Sequence, residues 1–295
     1  MKKLFLSSVV LMMAFMAQAQ TKIAPKLEKG FKAVYVEEIV RNVGGEEQKM
    51  SVETEYVVSD VTSKGAVITS TLTDIKSEGE NSDPASQLMS LGENIMKGIS
   101  IKLATDADGQ VTSVLNADEV KAKALELANT IIDGLLKDNP EIAQVLPKEA
   151  LTKQITEQFT EKVLLSSIQY SGVLALNGKA IANGATENVI NEQGMKMKRM
   201  YFLTGKNIIA NSTLDMSKDE LKEFIIKQVS AISPDQAQMV KDNIDMVLGQ
   251  MKFSATTKST YELQDNGWVK SIKTETSSDM MGQSQKQSSV ITLKQ

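Results

Sequence analysis

The chain has 295 residues, of which 41% are hydrophobic, 24% charged and only 4% aromatic, and its formal net charge is −4. It holds no histidine and no cysteine, which removes Ser-His-Asp and Cys-His triads, the usual tetrahedral zinc site, disulfides and the thiol that lipoprotein acylation needs. Apart from Arg41 and Arg199 every basic residue is a lysine, and since arginine is the preferred fork for phosphate and guanine, nucleic acid is not an expected partner.

The first residues read as an export signal. Lys2 and Lys3 form a basic region, Leu4 to Ala17 is apolar apart from Ser7 and Ser8, and Ala17-Gln18-Ala19 supplies a small-x-small cleavage pattern. The apolar run is shorter than the roughly 20 residues of a bilayer span, and small residues end it rather than a basic stop. Cleavage is expected between Ala19 and Gln20. Residues 20–295 then form a single α+β domain without a membrane span, exported to the periplasm or beyond and not lipid-anchored.

Phe31, Ala33, Tyr35, Ile39 and Val43 fall at even spacing and predict a strand that ends at the hairpin signal Gly44-Gly45. Met50, Val52, Thr54, Tyr56 and Val58 share one face of the next strand, opposite Ser51, Glu53 and Glu55, the mark of a half-buried antiparallel strand. Lys64-Gly65 turns the chain into a third strand over 66–75. Asp83-Pro84 opens a predicted helix with Leu88, Leu91 and Ile95 on one face.

Ile99, Ile101 and Leu103, the turn Asp106 to Gly109, and Val111 to Leu115 form a second hairpin. Asn116 and Glu119 resemble a capping box before a helix whose stripe is Val120, Ala124, Leu127, Ile131 and Leu135. Pro140 and Pro147 bracket a short helix, and Leu151, Ile155, Phe159 and Val163 stripe the next one.

Strands are expected again after Ser166, with turns at Asn177-Gly178 and Asn183-Gly184. Met195, Met197 and Tyr201 alternate with lysines, and Thr204-Gly205-Lys206 turns into a strand over 207–215. Ser217-x-x-Glu220 caps a helix carrying Leu221, Phe224, Ile225, Val229 and Ile232, and Ser233-Pro234-x-Gln236 caps one carrying Ala237, Val240, Ile244, Val247 and Met251. The chain ends in a hairpin turned at Asp265-Asn266-Gly267, where Trp268 is expected to close the sheet core, and a last strand to Leu293.

Strands joined by hairpins and interrupted by striped helices predict an α+β fold. The expected form is a curved, mostly antiparallel sheet, a half-barrel, with amphipathic helices packed in its concavity. The order of strand and helix blocks recurs, as in two similar halves over about 20–165 and 166–295.

No catalytic, cofactor or metal motif emerges. Counted from Asp106, position 6 of a calcium loop is Val111 and position 12 is Ala117, so an EF-hand fails and a hairpin turn explains Asp106-x-Asp108-Gly109. Gly205-Lys206 lacks P-loop spacing, and no Ser-x-x-Lys occurs. Paired carboxylates for glycoside hydrolysis are available in number, but one tryptophan and five tyrosines are few for a sugar platform.

Leu27-x-Lys29-Gly30 leads into a strand near the start, and Tyr261-Glu262-Leu263 is followed by Gly267-Trp268 and two Ser/Thr-rich strands. With the export signal, this layout resembles an uncharacterised family of exported bacterial β-rich proteins. More distantly it is similar to the periplasmic carriers that escort lipoproteins, in which helices lid an unclosed barrel. That resemblance implies an apolar cavity for acyl chains.

The sequence therefore predicts a non-enzymatic envelope protein holding an apolar or amphipathic ligand, such as a lipid. Phe224, Ile225, Val240, Ile244 and Met251 are its candidate lining residues. The alternative is a structural or adaptor protein with a filled core that binds a protein partner.

Overall fold

The computed structural model describes residues 20–43, 46–78, 96–138, 148–191, 193–232, 234–250, 253–280 and 283–294. The predicted signal with Ala19, the Gly44-Gly45 turn, the helix at Asp83-Pro84, the Pro140–Pro147 segment, Ser233, Met251 and Met281 lie outside these residues.

The first block contains β1 (Thr21–Lys22), β2 (Lys32–Val43), β3 (Glu46–Thr62), β4 (Gly65–Glu78), β5 (Ser100–Thr105) and β6 (Val111–Val114). Helices α1 (Ala117–Asp138), α2 (Lys148–Gln158) and α3 (Glu161–Tyr170) follow. Next come β7 (Ala180–Ile181), β8 (Thr186–Ile190), β9 (Lys196–Thr204) and β10 (Asn207–Leu214), then α4 (Lys218–Ile232) and α5 (Pro234–Gln250). The chain closes with β11 (Ser254–Leu263), β12 (Val269–Met280) and β13 (Gln283–Leu293).

The fold is α+β, as the alternation predicts. Eleven strands form one sheet in the order β6-β5-β4-β3-β2-β13-β12-β11-β10-β9-β8, with every pairing antiparallel, while β1 pairs separately with β7. The sheet does not close, because β6 and β8 are its two edges. It is nonetheless curled. Leu103 and Val111 near one edge and Tyr201 near the other belong to the same buried cluster, which also takes Val120, Ala124 and Leu164 from α1 and α3. Helices thus fill the concave side, where the apolar faces of strands and helices leave water together.

One end of the half-barrel is packed solid. Its floor is residues 23–26, which bridge two loops: Ile23 N–H donates to the Lys179 carbonyl at 2.9 Å, and Lys26 N–H to the Asn266 carbonyl at 2.8 Å. Trp268, only 1% exposed, stacks at 4.8 Å on Phe31 and donates its indole N–H to the Lys26 carbonyl at 3.0 Å. The tryptophan is a core residue, as its place after the turn suggests. Gly267 has φ +83°, and a Cβ there would lie 2.7 Å from the Ala24 carbonyl oxygen, so the turn and the floor can approach only through glycine.

Three expectations need correction. The helix striped by Phe159 and Val163 is two helices, because Thr160 leaves helical geometry and its hydroxyl caps α3 by accepting the Val163 N–H at 3.4 Å. The strand expected after Ser166 is instead the end of α3, followed by turns in which Val173, Leu174, Ala175 and Leu176 are buried. That apolar run fills the core without a sheet partner. In α1 the buried stripe is Val120, Ala124, Ala128 and Ile132, while Leu127 is exposed; alanines at that spacing let the helix lie close on the sheet. The side chains of Ile131, Leu135, Leu151, Ile155, Ile232, Ala237 and Val247 lie outside those described.

The cap signals divide. Ser217 and Glu220 form the reciprocal box: Glu220 N–H donates to Ser217 Oγ at 3.3 Å, and Ser217 N–H to Glu220 Oε2 at 2.8 Å. Asn116 instead ties the start of α1 to β5, accepting the Lys102 N–H at 2.8 Å and donating to the Ser100 carbonyl at 2.9 Å.

Candidate functional site

Alternation gives the sheet an inner and an outer face. The outer face carries exposed charge pairs, among them Lys270–Glu262 at 2.8 Å and Lys294–Glu53 at 2.6 Å. The inner face is apolar near the floor: Leu203, Ile208, Tyr261, Ile272 and Ile291 are cross-strand neighbours in one row.

Two rows further from the floor the inner face changes character. Glu187 pairs with Arg199, Arg199 with Ser212, Ser212 with Thr257, and Thr257 with Thr276. The row continues through Gln287 and Arg41 to Gln48, so eight adjacent strands contribute a polar residue at one level. Between this row and the apolar one lie the hydroxyls of Ser259, Thr274 and Ser289. Both arginines of the chain belong to the polar row.

A 240 Å³ cavity opens on this band. Arg41, Arg199, Thr276, Gln287 and Ser289 line it from the sheet, and Tyr170, Ser171 and Gly172, where α3 ends, lie over it. Arg41 and Arg199 stand five strands apart, roughly 24 Å along the sheet at about 4.8 Å per strand. That both line one small cavity reflects the curl of the sheet.

Arg199 is 3% exposed. Its Nε donates to Ser212 Oγ at 3.1 Å, its Nη2 donates to the Tyr170 carbonyl at 2.7 Å, and the guanidinium lies 4.6 Å from the centre of the Tyr170 ring. Nη1 makes no hydrogen bond, although Glu187 Oε1 is 3.5 Å away. Burial acts to lower the Arg199 pKa, but the surrounding Tyr201 and Tyr261 raise it and the net shift is upward.

The Glu187 carboxylate is held more closely by Lys179 Nζ at 2.8 Å and Tyr201 Oη at 2.5 Å. Burial pushes its pKa up, yet the hydrogen bonds from Lys179 and Tyr201 outweigh that and hold the carboxyl below its usual range. Arg41 Nε donates to Gln287 Oε1 at 3.0 Å. The hydroxyls of Ser259 and Thr274 meet at 3.1 Å, and those of Thr257 and Thr276 at 3.3 Å.

Beyond the band, a small buried cluster of Tyr170, Met195, Met197 and Ala255 packs against half-buried Phe224 of α4. The residues predicted to line a ligand site do not all meet. Phe224 reaches this cluster, Ile225 and Val240 are half-buried, Ile244 is buried, and Met251 lies outside the described residues. The inner cavity is lined by other side chains.

Two more cavities occur. One of 310 Å³ lies in the seam between the sheet edges, against Val111 of β6, Gln169 of α3 and Glu187 of β8, and includes Asn177, whose buried Nδ2 lacks a partner. The other, an open groove of 750 Å³, crosses outward residues such as Asn211, Lys258, Glu275 and Ser288. Among the described residues no group of three or more acids is placed to hold a metal, and no helix is long and apolar enough to cross a membrane. Asp106 Oδ1 accepts the N–H groups of Asp108 and Gln110, each at 2.9 Å, so that turn closes on itself.

No family model and no curated protein matches the chain. Among solved structures, it is similar to one of lipovitellin, described for its lipid–protein interactions, at 9% identity and TM-score 0.38, covering 92% of this chain and 26% of that one. The chain thus spans about a quarter of that protein's length. It is also similar to Rv2717c from M. tuberculosis, at 7% identity and TM-score 0.24, covering 89% of this chain and 91% of that one. A porin-like protein from Bacteroides uniformis matches at 8% identity and TM-score 0.22, covering 93% and 99%.

Proposed function

We propose that this is an exported, non-enzymatic binding protein that holds the polar head of an amphipathic ligand in the 240 Å³ inner cavity. The observation that carries this is the transverse polar row. A concave sheet face that packs a core is normally apolar, and polar groups withdrawn from water lower stability unless they are bonded. Here one end of the concavity is filled by side chains, and the next level is polar and open. A cavity of this size suits a head group more than a whole lipid, since sites for drug-sized ligands commonly run from about 300 to 1,000 Å³.

The apolar part of the ligand would lie against Ile39 and Ile291, the aliphatic side chains that line the cavity. Binding rather than catalysis fits a chain without histidine or cysteine, and export fits the leader at residues 1–19. The packed end with Trp268 favours the second reading, an adaptor that docks a protein partner. Stoichiometric recovery of one protein with the chain would support that.

The test is native mass spectrometry of the mature protein purified from its own host. The expected result is a small amphiphile released on denaturation, together with binding of an environment-sensitive amphiphilic dye. Protein that carries no such mass and binds no dye contradicts the proposal.

A further inference from the structure

We infer that the head group held in the inner cavity is an anion, with Arg41 and Arg199 as its charged ligands. This rests on reading the cavity as a ligand site.

Four observations point the same way. First, a chain that uses lysine for every other basic position places its two arginines on one row of the inner face. A planar guanidinium matches carboxylate, sulfate or phosphate oxygens in a way that an ammonium does not.

Second, the ionisable side chains lining the cavity, apart from the tyrosine hydroxyl, are Arg41, Arg199 and Glu37. The pocket is formally positive inside a protein whose net charge is −4. A cationic head would meet two guanidinium groups against one carboxylate, and a neutral one would gain no ion pair.

Third, Arg199 is almost wholly buried and has a donor left over at Nη1. The nearest acid, Glu187, is already held by Lys179 and Tyr201. Nη1 therefore has an ion pair at 3.5 Å but no hydrogen bond, and a bound oxyanion can take up that unused donor.

Fourth, the hydroxyl pairs Ser259–Thr274 and Thr257–Thr276 hydrogen-bond to each other across the cavity wall. A hydroxyl can rotate, so each pair can turn a donor toward a ligand oxygen without moving the backbone.

The test is isothermal titration calorimetry of the full mature chain with octanoate, octanol, octylamine and inorganic phosphate. Octanoate is expected to bind at least tenfold more tightly than octanol, with octylamine weakest. Arg41→Gln, checked for a native circular dichroism spectrum, should weaken octanoate at least tenfold and leave octanol unchanged. If that variant does not fold, the ranking of the three octyl probes on the unaltered chain decides.

Equal binding of the three octyl compounds, or an Arg41→Gln variant that binds octanoate as before, overturns the inference and leaves the ligand cavity standing. Binding of phosphate without octanoate supports the anion and overturns the amphipathic ligand. Failure of every probe to bind overturns both.

Discussion

Arg199 and Glu187 face each other across β9 and β8 with Nη1 and Oε1 3.5 Å apart, while Lys179 and Tyr201 hold the same carboxylate more tightly. One acid thus compensates two cations at the rim of the polar band. Glu187→Gln removes the only negative charge of this group and leaves Lys179 and Arg199 facing each other. The glutamate side chain is 31% exposed, so the expected loss of about 1–2 kcal/mol lies below the range for a fully buried pair. Urea unfolding at neutral pH measures it.

The same carboxyl gives a pH signature. Its folded pKa is below the ordinary glutamate value, so its stabilisation is complete above that value and is lost as pH falls through the folded pKa. The unaltered protein should lose stability on acidification below about pH 4.5, and Glu187→Gln should lose less over the same interval. Thermal melts between pH 6 and pH 3 compare the two slopes.

Gly267 and Gly98 separate two costs of adding a side chain. Both have positive φ, but a Cβ at Gly98 meets nothing within 4 Å, whereas one at Gly267 meets the Ala24 carbonyl oxygen at 2.7 Å. Gly98→Ala should cost about 1 kcal/mol, the backbone penalty alone. Gly267→Ala should cost about 2 kcal/mol or more, because the floor of the half-barrel must also move. Equal unfolding midpoints for the two variants would contradict the packing of residues 24 and 25 against this turn.

The single tryptophan reports on that floor. Trp268 is buried and hydrogen-bonded to the Lys26 carbonyl, so its native fluorescence should be blue-shifted. Deleting residues 20–26 removes the bond and the cover, and the emission maximum should move to longer wavelength in a chain that retains its β-sheet circular dichroism.

The open edge of the sheet is guarded by α3. Gln169 Nε2 donates to the Val111 carbonyl of edge strand β6 at 2.9 Å. Gln169→Ala leaves that carbonyl without this partner and should cost about 1–2 kcal/mol. Hydrogen exchange should rise first in β6 and spread to β5.

Much of this architecture was legible in period-two alternation. Met197, Arg199 and Tyr201 are all buried while Lys196 and Lys198 are exposed, as the pattern of that strand requires. The site was harder to see because its residues come from strands far apart in sequence: Arg41 and Arg199 meet only through the pairing of β13 with β2 and the curl of the sheet.

A signal was nevertheless present. Arg41 is in phase with buried Ala33, Tyr35 and Ile39, and Arg199 with buried Met197 and Tyr201. A charged residue in step with a buried face marks a site that hydrophobic periodicity overlooks. The buried run from Val173 to Leu176 misled for the opposite reason. Apolar composition alone does not separate a buried strand from a buried turn.

The most direct measurement is methyl NMR of the isoleucine-labelled mature protein during titration with octanoate. Ile39 and Ile291 line the inner cavity, whereas Ile68 and Ile132 lie in the packed core. The predicted result is a saturable shift of the Ile39 and Ile291 methyl signals with Ile68 and Ile132 unmoved. Signals from Ile39 and Ile291 that stay still, whether or not others respond, would contradict the assignment of the cavity as the binding site.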